Sequence, residues 1–418
     1  MTRSILRLLI SLFVLSPVLT CYALETVSVG LQFSRGDQRL QVQRQIKRFE
    51  QSNPDIKIDL WAYSETNYTG NIELWLSQQS GPQLLMWYGG QRLKHYIEHQ
   101  SLQNIDNFWQ TEQLEHAFAK PVSATANYKG HNYAIPLSYS LYSLYYTEAP
   151  FKQLGISIPS TWQEVLRACK LFDEEDLSLF SFGGQTQWSV HGWFDYLNLR
   201  INGLEFYEQL LSGVLSYEDP KVKRVFDHWA ALLNTNCFNA NHLQLTNKKA
   251  FPRLLHKLSG MMLLNNIPEV GAPNIEIKRV KYNPFPTIND KHAPYTLSPV
   301  NVLVVPSYTK LSPAVLKVMS LFASAEFQYA MNGPVGRPPA RNDHSLELNE
   351  KAQKLAQAIR QSPGGVQYFD RDTDIRFASQ TPQIMLEFMQ HRDSTRACKE
   401  LEQLRQQLLH IDRTLSEE

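Results

Sequence analysis

Between residues 27 and 60 the apolar residues change period twice, and that switch restricts the fold more than any other feature of the chain. Val27, Val29 and Leu31 alternate, as one face of a half-buried strand requires. After a loop, Phe33-Ser34-Arg35-Gly36-Asp37, Val42, Ile46 and Phe49 recur at helical spacing. Asn53-Pro54-Asp55 stops that helix, and Ile56, Ile58 and Leu60 alternate again. Strand, helix and strand in this spacing make a βαβ unit, so a parallel sheet with right-handed crossovers is expected. Leu84-Leu85-Met86 predicts a short buried strand with Trp87-Tyr88-Gly89-Gly90 at its carboxyl end. Ligands of open α/β sheets collect at that edge.

The middle of the chain reads as helical. Thr161 and Glu164 form a capping box, and Val165, Cys169 and Phe172 line one face of the helix it starts. Asp219-Pro220 and Ser312-Pro313 each place a cap before a proline in the first turn. Behind them run the stripes Val222, Val225, Phe226, Trp229, Leu233 and Val315, Leu316, Met319, Phe322. The last helix carries Ala397, Leu401, Leu404, Leu408, Ile411 and Leu415, a spacing that suits packing on its own domain better than a coiled-coil seam. At 418 residues the chain fits about two domains. No long linker separates them, so short hinges are expected where the chain passes between lobes.

Lys+Arg (41) nearly cancels Asp+Glu (40), which leaves no general field to hold nucleic acid or an anionic membrane. Arg3 and Arg7, the apolar run Leu8 to Leu15, Pro17 and Cys21-Tyr22-Ala23 predict a secretory signal over 1–23, cleaved before Leu24. An uncleaved anchor is one alternative, and a lipoprotein modified at Cys21 is another. No stretch reaches the roughly 20 apolar residues of a membrane helix. If Cys21 leaves with the signal, Cys169, Cys237 and Cys398 enter an oxidising compartment. One disulfide with one thiol left over is the simple count. Cys169 and Cys237 are the expected pair, since both sit near helix ends in one lobe; three buried thiols is the other reading.

Catalytic motifs are not found: there is no GxSxG, HExxH, Walker loop or GxGxxG. The histidines and cysteines show no metal-ligand spacing, so neither metal nor cofactor is expected. Adjacent carboxylates such as Glu174-Glu175 point apart on a helix and cannot flank one scissile bond. What the sequence does supply is aromatic and amide-bearing segments at loop positions: Trp87-Tyr88, Tyr139 to Tyr146, Trp188 to Tyr196, and Leu264-Asn265-Asn266. Sugars have apolar C–H faces and hydroxyl rims, which flat rings and planar amide, carboxylate or guanidinium groups match.

Several stretches, in order along the chain, resemble one family. They are Arg48-Phe49-Glu50 through Asn53-Pro54-Asp55-Ile56-Lys57-Ile58, and Tyr133-Ala134-Ile135-Pro136 through Tyr145-Tyr146-Thr147. Leu154-Gly155-Ile156 with Pro159-Ser160-Thr161-Trp162-Gln163-Glu164 is the most specific. Ser259-Gly260-Met261-Met262 and Phe322-Ala323-Ser324-Ala325-Glu326 complete the set. Together they resemble bacterial extracellular solute-binding family 1, the periplasmic sugar-binding components of ABC transporters. Trp193-Phe194-Asp195-Tyr196-Leu197-Asn198 and Phe369-Asp370-Arg371-Asp372-Thr373 are similar to its binders of monosaccharides and short oligosaccharides. Leu263-Leu264-Asn265-Asn266 and Ser298-Pro299-Val300 depart from the usual pattern, which bears on the particular sugar.

The resemblance implies an α/β, two-lobed periplasmic binding protein fold of type II, its lobes joined by hinge crossovers around a ligand cleft. The expected first lobe is 24–138 plus 298–324, and the second 139–297 plus 325–418. Loop position and resemblance together point to Phe33, Arg35, Asp37, Tyr88, Tyr139, Trp188, Trp193, Asn265, Arg337 and Asp370 as ligand-binding residues. The implied activity is capture of a sugar by hinge closure and delivery to permease subunits in the inner membrane, by a monomer and without catalysis. A subunit that presents the sugar to a membrane histidine kinase has the same fold and is the alternative; a secreted carbohydrate-active enzyme is a further one.

Overall fold

A computed structural model describes residues 24–33, 35–186, 188–265 and 279–417, with the side chains of 65, 66 and 410–417 not described. The predicted signal over 1–23 and Asn266 lie outside these residues. The expected βαβ unit is present. Strand β1 (Glu25–Gln32), the helix Gly36–Ser52 and strand β2 (Ile56–Tyr63) follow one another, and β1 pairs in parallel with β2 from Glu25 opposite Ile56 to Gln32 opposite Tyr63. Strand β3 (Leu84–Tyr88) lies parallel on the other side of β1.

After a small hairpin of β4 (Asn127–Tyr128) and β5 (His131–Asn132), strand β6 (Ala134–Tyr139) closes the far edge of this sheet. The chain then enters a second sheet through β7 (Ser143–Tyr146), β8 (Ser178–Ser181), β9 (Ser259–Leu264) and β10 (Lys281–Asn283), in the order β10-β7-β9-β8. It returns through β11 (Thr296–Leu297) and β12 (Val300–Val304), and β11 pairs with β13 (Gly365–Val366). The first sheet thus reads β2-β1-β3-β12-β6. It is not wholly parallel, since β12 runs antiparallel to both β3 and β6. The reason is topological: β6 leaves the sheet toward the second lobe, and β12 comes back from that lobe at the same end.

Two large hydrophobic cores follow from this path, with a smaller cluster around Tyr145, Phe251 and Met262 beside them. Val27, Val29, Leu31, Val42, Ile46, Ile58, Val302, Val315 and Met319 share the first. Val165, Phe172, Phe194, Val222, Phe226, Trp229, Leu401 and Leu404 share the second. Leu408 packs against the second core from the last helix, so that helix packs on its own domain as its spacing implied; Ile411 and Leu415 lie outside the described side chains. The three caps named above form: Thr161 Oγ1 accepts from Glu164 N at 3.3 Å, Asp219 Oδ1 from Lys221 N at 2.7 Å and Ser312 Oγ from Val315 N at 3.2 Å. Cys169 and Cys237 are joined by a disulfide with Cα atoms 4.9 Å apart, and Cys398 carries a buried free thiol.

One expected boundary needs correcting. Residues 325–359 do not belong with the second core: Phe327, Met331, Ala340, Leu355 and Ile359 are buried in the first. The side chains after the expected break explain it. Gln328 donates to Pro136 O at 2.9 Å, Asn332 to Leu137 O at 2.9 Å, and Gln38 to Met331 O at 3.2 Å, which ties the helix Ala325–Asn332 to β6 and to Gly36–Ser52. The third passage between cores therefore falls after Ile359 and before Val366. The middle passage is hydrogen-bonded to each of the other two. Ser140 N donates to Pro299 O at 3.1 Å, Tyr142 N to Leu297 O at 2.9 Å, and Ser298 N to Val366 O at 2.9 Å.

Candidate functional site

Strand ends of the first sheet build one wall of a cavity of about 310 Å³ between the lobes. Gln32 and Phe33 come from the end of β1, Met86 from β3, Ser138 from β6 and Asn301 from β12, with Met331, Asn332 and Arg337 beside them. The second lobe contributes Trp188, Asn265, Tyr368, Asp370 and Arg371. Trp188 opens the helix Trp188–Asn202 and keeps 38% of its surface exposed, a large ring left in solvent at the cleft. It stacks on Tyr368 at 6.5 Å and meets Tyr142 edge-on at 6.1 Å. Tyr142 can lie against that helix because residue 192 is glycine: a Cβ there would stand 2.2 Å from the Tyr142 ring.

The loop 367–372, whose last four residues form the short helix Phe369–Asp372, carries the most chemistry into the cavity, and buried groups fix it from below. Phe369 N donates to Asp195 Oδ2 at 3.0 Å, and Tyr207 Oη donates to Asp195 Oδ1 at 2.9 Å. Burial pushes the Asp195 carboxyl well above the usual carboxylate range. The His191 ring stacks on Phe369 at 4.6 Å. From the hinge, Val300 N donates to the Gln367 side chain at 3.0 Å. So held, the loop sets the Arg371 guanidinium over the Tyr88 ring, with one N–H donated to Asn301 Oδ1 at 3.2 Å. Asn301 in turn donates to Ser138 Oγ at 3.1 Å, and Gln32 to Tyr88 Oη at 3.2 Å. Asp370 Oδ1 is buried with no hydrogen-bond partner among the described residues. A bare acceptor beside an open ring leaves room for a hydroxyl-bearing solute.

Of the residues expected from sequence, Phe33, Trp188, Asn265, Arg337 and Asp370 line the cavity. Tyr88 lies beneath Arg371, outside the lining. Four more of the expected residues lie outside it. Trp193 is buried in the second core, edge-on to Phe180 at 4.9 Å and to Phe238 at 5.1 Å. Five residues beyond Trp188 on one helix, it is turned by roughly 140° away from the cleft. Tyr139 is buried in the first core at the end of β6, where the adjacent Ser138 takes the cavity-facing place. Arg35 and Asp37 pair with each other at 2.7 Å at the start of Gly36–Ser52 and do not line the cavity. The Arg35 side chain holds the Asp37 carboxyl below its ordinary range. The lining residues that sequence reasoning passed over are Gln32, Gln38, Met86, Ser138, Asn301, Met331, Asn332, Tyr368 and Arg371. Asn301 and Ser138 had a readable signal, each a polar residue inside an otherwise apolar strand.

Among the described residues no cluster of His, Cys, Asp or Glu is placed to hold a metal ion, and no helix is long and apolar enough to cross a membrane. The family model of the bacterial extracellular solute-binding protein matches residues 36–224. Over that span, just under half of the chain, the sequence resembles that family. The chain is 23% identical over 323 residues to an uncharacterized ABC transporter extracellular-binding protein of Pyrococcus horikoshii, covering 74% of this chain and 70% of the relative. Among solved structures it is similar to the bacterial solute receptor AcbH, described as exclusive for β-D-galactopyranose, with a TM-score of 0.80, 21% identity, and coverage of 92% of this chain and 98% of that one. A chitin oligosaccharide binding protein matches with a TM-score of 0.78, 18% identity, and coverage of 92% and 98%. At these identities the structures establish the two-lobed fold.

Proposed function

We propose that this protein captures a sugar, a monosaccharide or short oligosaccharide, in the cleft between its lobes and hands it unaltered to the permease of an ABC transporter. The observation that carries this reading is the pairing of an open Trp188 ring with the bare Asp370 oxygen and the stacked Arg371 in one cavity. The ring matches a C–H face, and the charged groups match hydroxyls. At about 310 Å³ the cavity sits at the lower end of small-molecule sites, which suits one or two sugar rings. The preference of AcbH for β-D-galactopyranose makes a galactose-type ring the first candidate. Phe33, Trp188, Asn265, Arg337 and Asp370 contact the sugar in this reading, with Tyr88 supporting Arg371.

The working lobes are 24–139 with 300–359, and 143–297 with 366–417, and the three hydrogen-bonded passages between them are the hinges. Bending there completes contacts that neither lobe makes alone. The protein works as a monomer in the periplasm after removal of 1–23, and no catalytic step is assigned to it. Micromolar affinity corresponds to about -8 kcal/mol, within reach of one or two stacked rings and a few satisfied hydroxyls. A thermal-shift screen against monosaccharides and short oligosaccharides, followed by titration calorimetry, tests the reading. A raised melting temperature with at least one sugar, weakened by Trp188→Ala, supports it. No shift with any sugar, or a shift indifferent to Trp188, removes it.

A further inference from the structure

Strand β3 separates two cavities. Met86 faces the cleft just described, and Trp87 faces a second cavity of about 270 Å³, also between the lobes. The loop 367–372 is shared in the same way: Tyr368, Asp370 and Arg371 face the cleft, and Asp372 lines the second cavity. Asp372 is 8% exposed and meets both lobes. Its Oδ2 accepts from Gln367 N at 3.0 Å, within its own loop. Its Oδ1 accepts from Gln91 N at 3.3 Å, the first residue of the first-lobe helix Gln91–Glu98. Arg92, next on that helix, donates to Asp370 O. Gly90 makes the approach possible, since its φ is +77° and a Cβ there would lie 2.4 Å from Asp372 Oδ1.

We propose that Asp372 is a positioning residue for the ligand cleft: its one carboxylate ties the 367–372 loop to the first-lobe helix Gln91–Glu98 and thereby sets Asp370 and Arg371 in the cavity. Both oxygens accept from backbone N–H groups, one on the first-lobe helix and one in the second lobe, and those two bonds hold the segments together. Burial pushes this carboxyl up to about 6, against the two backbone N–H bonds and Lys94, which lower it, while Glu208 raises it. The other charged and titratable groups around it are Arg92, His95, Tyr96 and Glu98 from Gln91–Glu98, Glu73 from Glu65–Ser77, Tyr207 from Leu204–Leu211, Asp195 beneath the loop, and Asp374 following it. An opened tie returns the carboxyl to water and toward its ordinary range, so the tied form takes up the proton first and acidification through about 6 favours the tie over its opening.

The ligand half of this inference rests on the proposed sugar capture; the tie itself does not, and the experiment separates them. Amide exchange in peptides spanning 89–98 and 365–374 is measured on sugar-free protein at about pH 7.5 and pH 5, corrected for intrinsic rates, with sugar affinity measured alongside. Wild type is expected to gain about tenfold protection in both peptides at the lower pH and to bind the best sugar no more weakly there. Asp372→Asn cannot titrate and puts an N–H where the carboxylate has an acceptor, so it is expected to show weaker protection in both peptides, no gain on acidification, and weaker affinity. A variant with wild-type exchange, or with wild-type affinity, overturns the proposal. If the variant does not fold, the wild-type series decides alone: protection that stays flat or falls on acidification overturns it. If wild type binds no sugar at either pH, the capture reading fails, and exchange alone judges the tie.

Discussion

The guanidinium carbon of Arg371 lies 3.9 Å from the centre of the Tyr88 ring, a contact that joins the second lobe to the first beneath the cleft. The same guanidinium donates to Asn301 and sits 5.1 Å from the Tyr368 ring. A planar, delocalised cation can lie flat on a ring and donate in its own plane at once; an ammonium cannot. Arg371→Lys is therefore expected to weaken sugar binding about fivefold to tenfold, the scale of one cation–π contact plus a misplaced donor. Titration calorimetry checks it. Affinity equal to wild type would show that the bridge is indifferent to ligand.

Trp188 and Trp193 stand on one helix and should separate binding from folding. Trp188 is 38% exposed at the cleft, while Trp193 is 1% exposed between Phe180, Phe238 and Phe285. Trp188→Ala is expected to cost about 1 kcal/mol of sugar affinity and little stability. Trp193→Ala is expected to cost roughly 3–5 kcal/mol of stability through the cavity it leaves. Denaturant melts and calorimetry on both variants read the two effects separately. A large stability loss from Trp188→Ala would move that ring into the core.

These two tryptophans also show where sequence stops being legible. The βαβ start, the capped helices and the two cores follow from periodicity and cap chemistry, which act over a few residues and are written in the chain. The path of β12 is different, because its direction depends on where the chain re-enters after more than one hundred residues in the other lobe. The assignment of 325–359 failed for a related reason: Gln328 and Asn332 reach backbone carbonyls of β6, contacts no local pattern encodes. In the site, positions after strands could be foreseen from the α/β rule, which found Phe33 and Asn265. Which face of a helix a ring takes, as with Trp193, and whether a charge finds its own neighbour, as Arg35 finds Asp37, are settled only by packing.

The Cys169–Cys237 bond closes a loop across 68 residues between the helix Trp162–Asp173 and the segment leading to Phe238, wholly within the second core. A crosslink of this kind restricts the unfolded chain, so Cys169→Ala combined with Cys237→Ala is expected to lower stability by about 2–4 kcal/mol. Neither sulfur lines the cleft, so sugar affinity at room temperature should stay within about twofold, since the folded state keeps its contacts. Equal denaturation midpoints for the double variant and the oxidised wild type would show that the bond adds nothing.

His191 offers a test of pH dependence beneath the same loop. Its ring is buried against Phe369, its Nε2 is 2.9 Å from Thr381 Oγ1, and burial pushes its pKa down to about 4. In the unfolded chain the imidazole titrates near about 6.5. Between those values the unfolded chain binds the extra proton, so this group costs stability as pH falls, by up to about 1.4 kcal/mol per unit. Asp372 works in the opposite sense below about 6, because the folded protein takes up its proton first. The informative quantity is thus the difference between wild type and His191→Gln, which removes only the imidazole. Denaturant melts at about pH 7.5 and pH 4.5 should show the variant gaining roughly 2–3 kcal/mol relative to wild type on acidification. A difference that stays constant with pH would mean that His191 is charged in the folded protein, and that the packing of Phe369 on its ring does not exclude a cation.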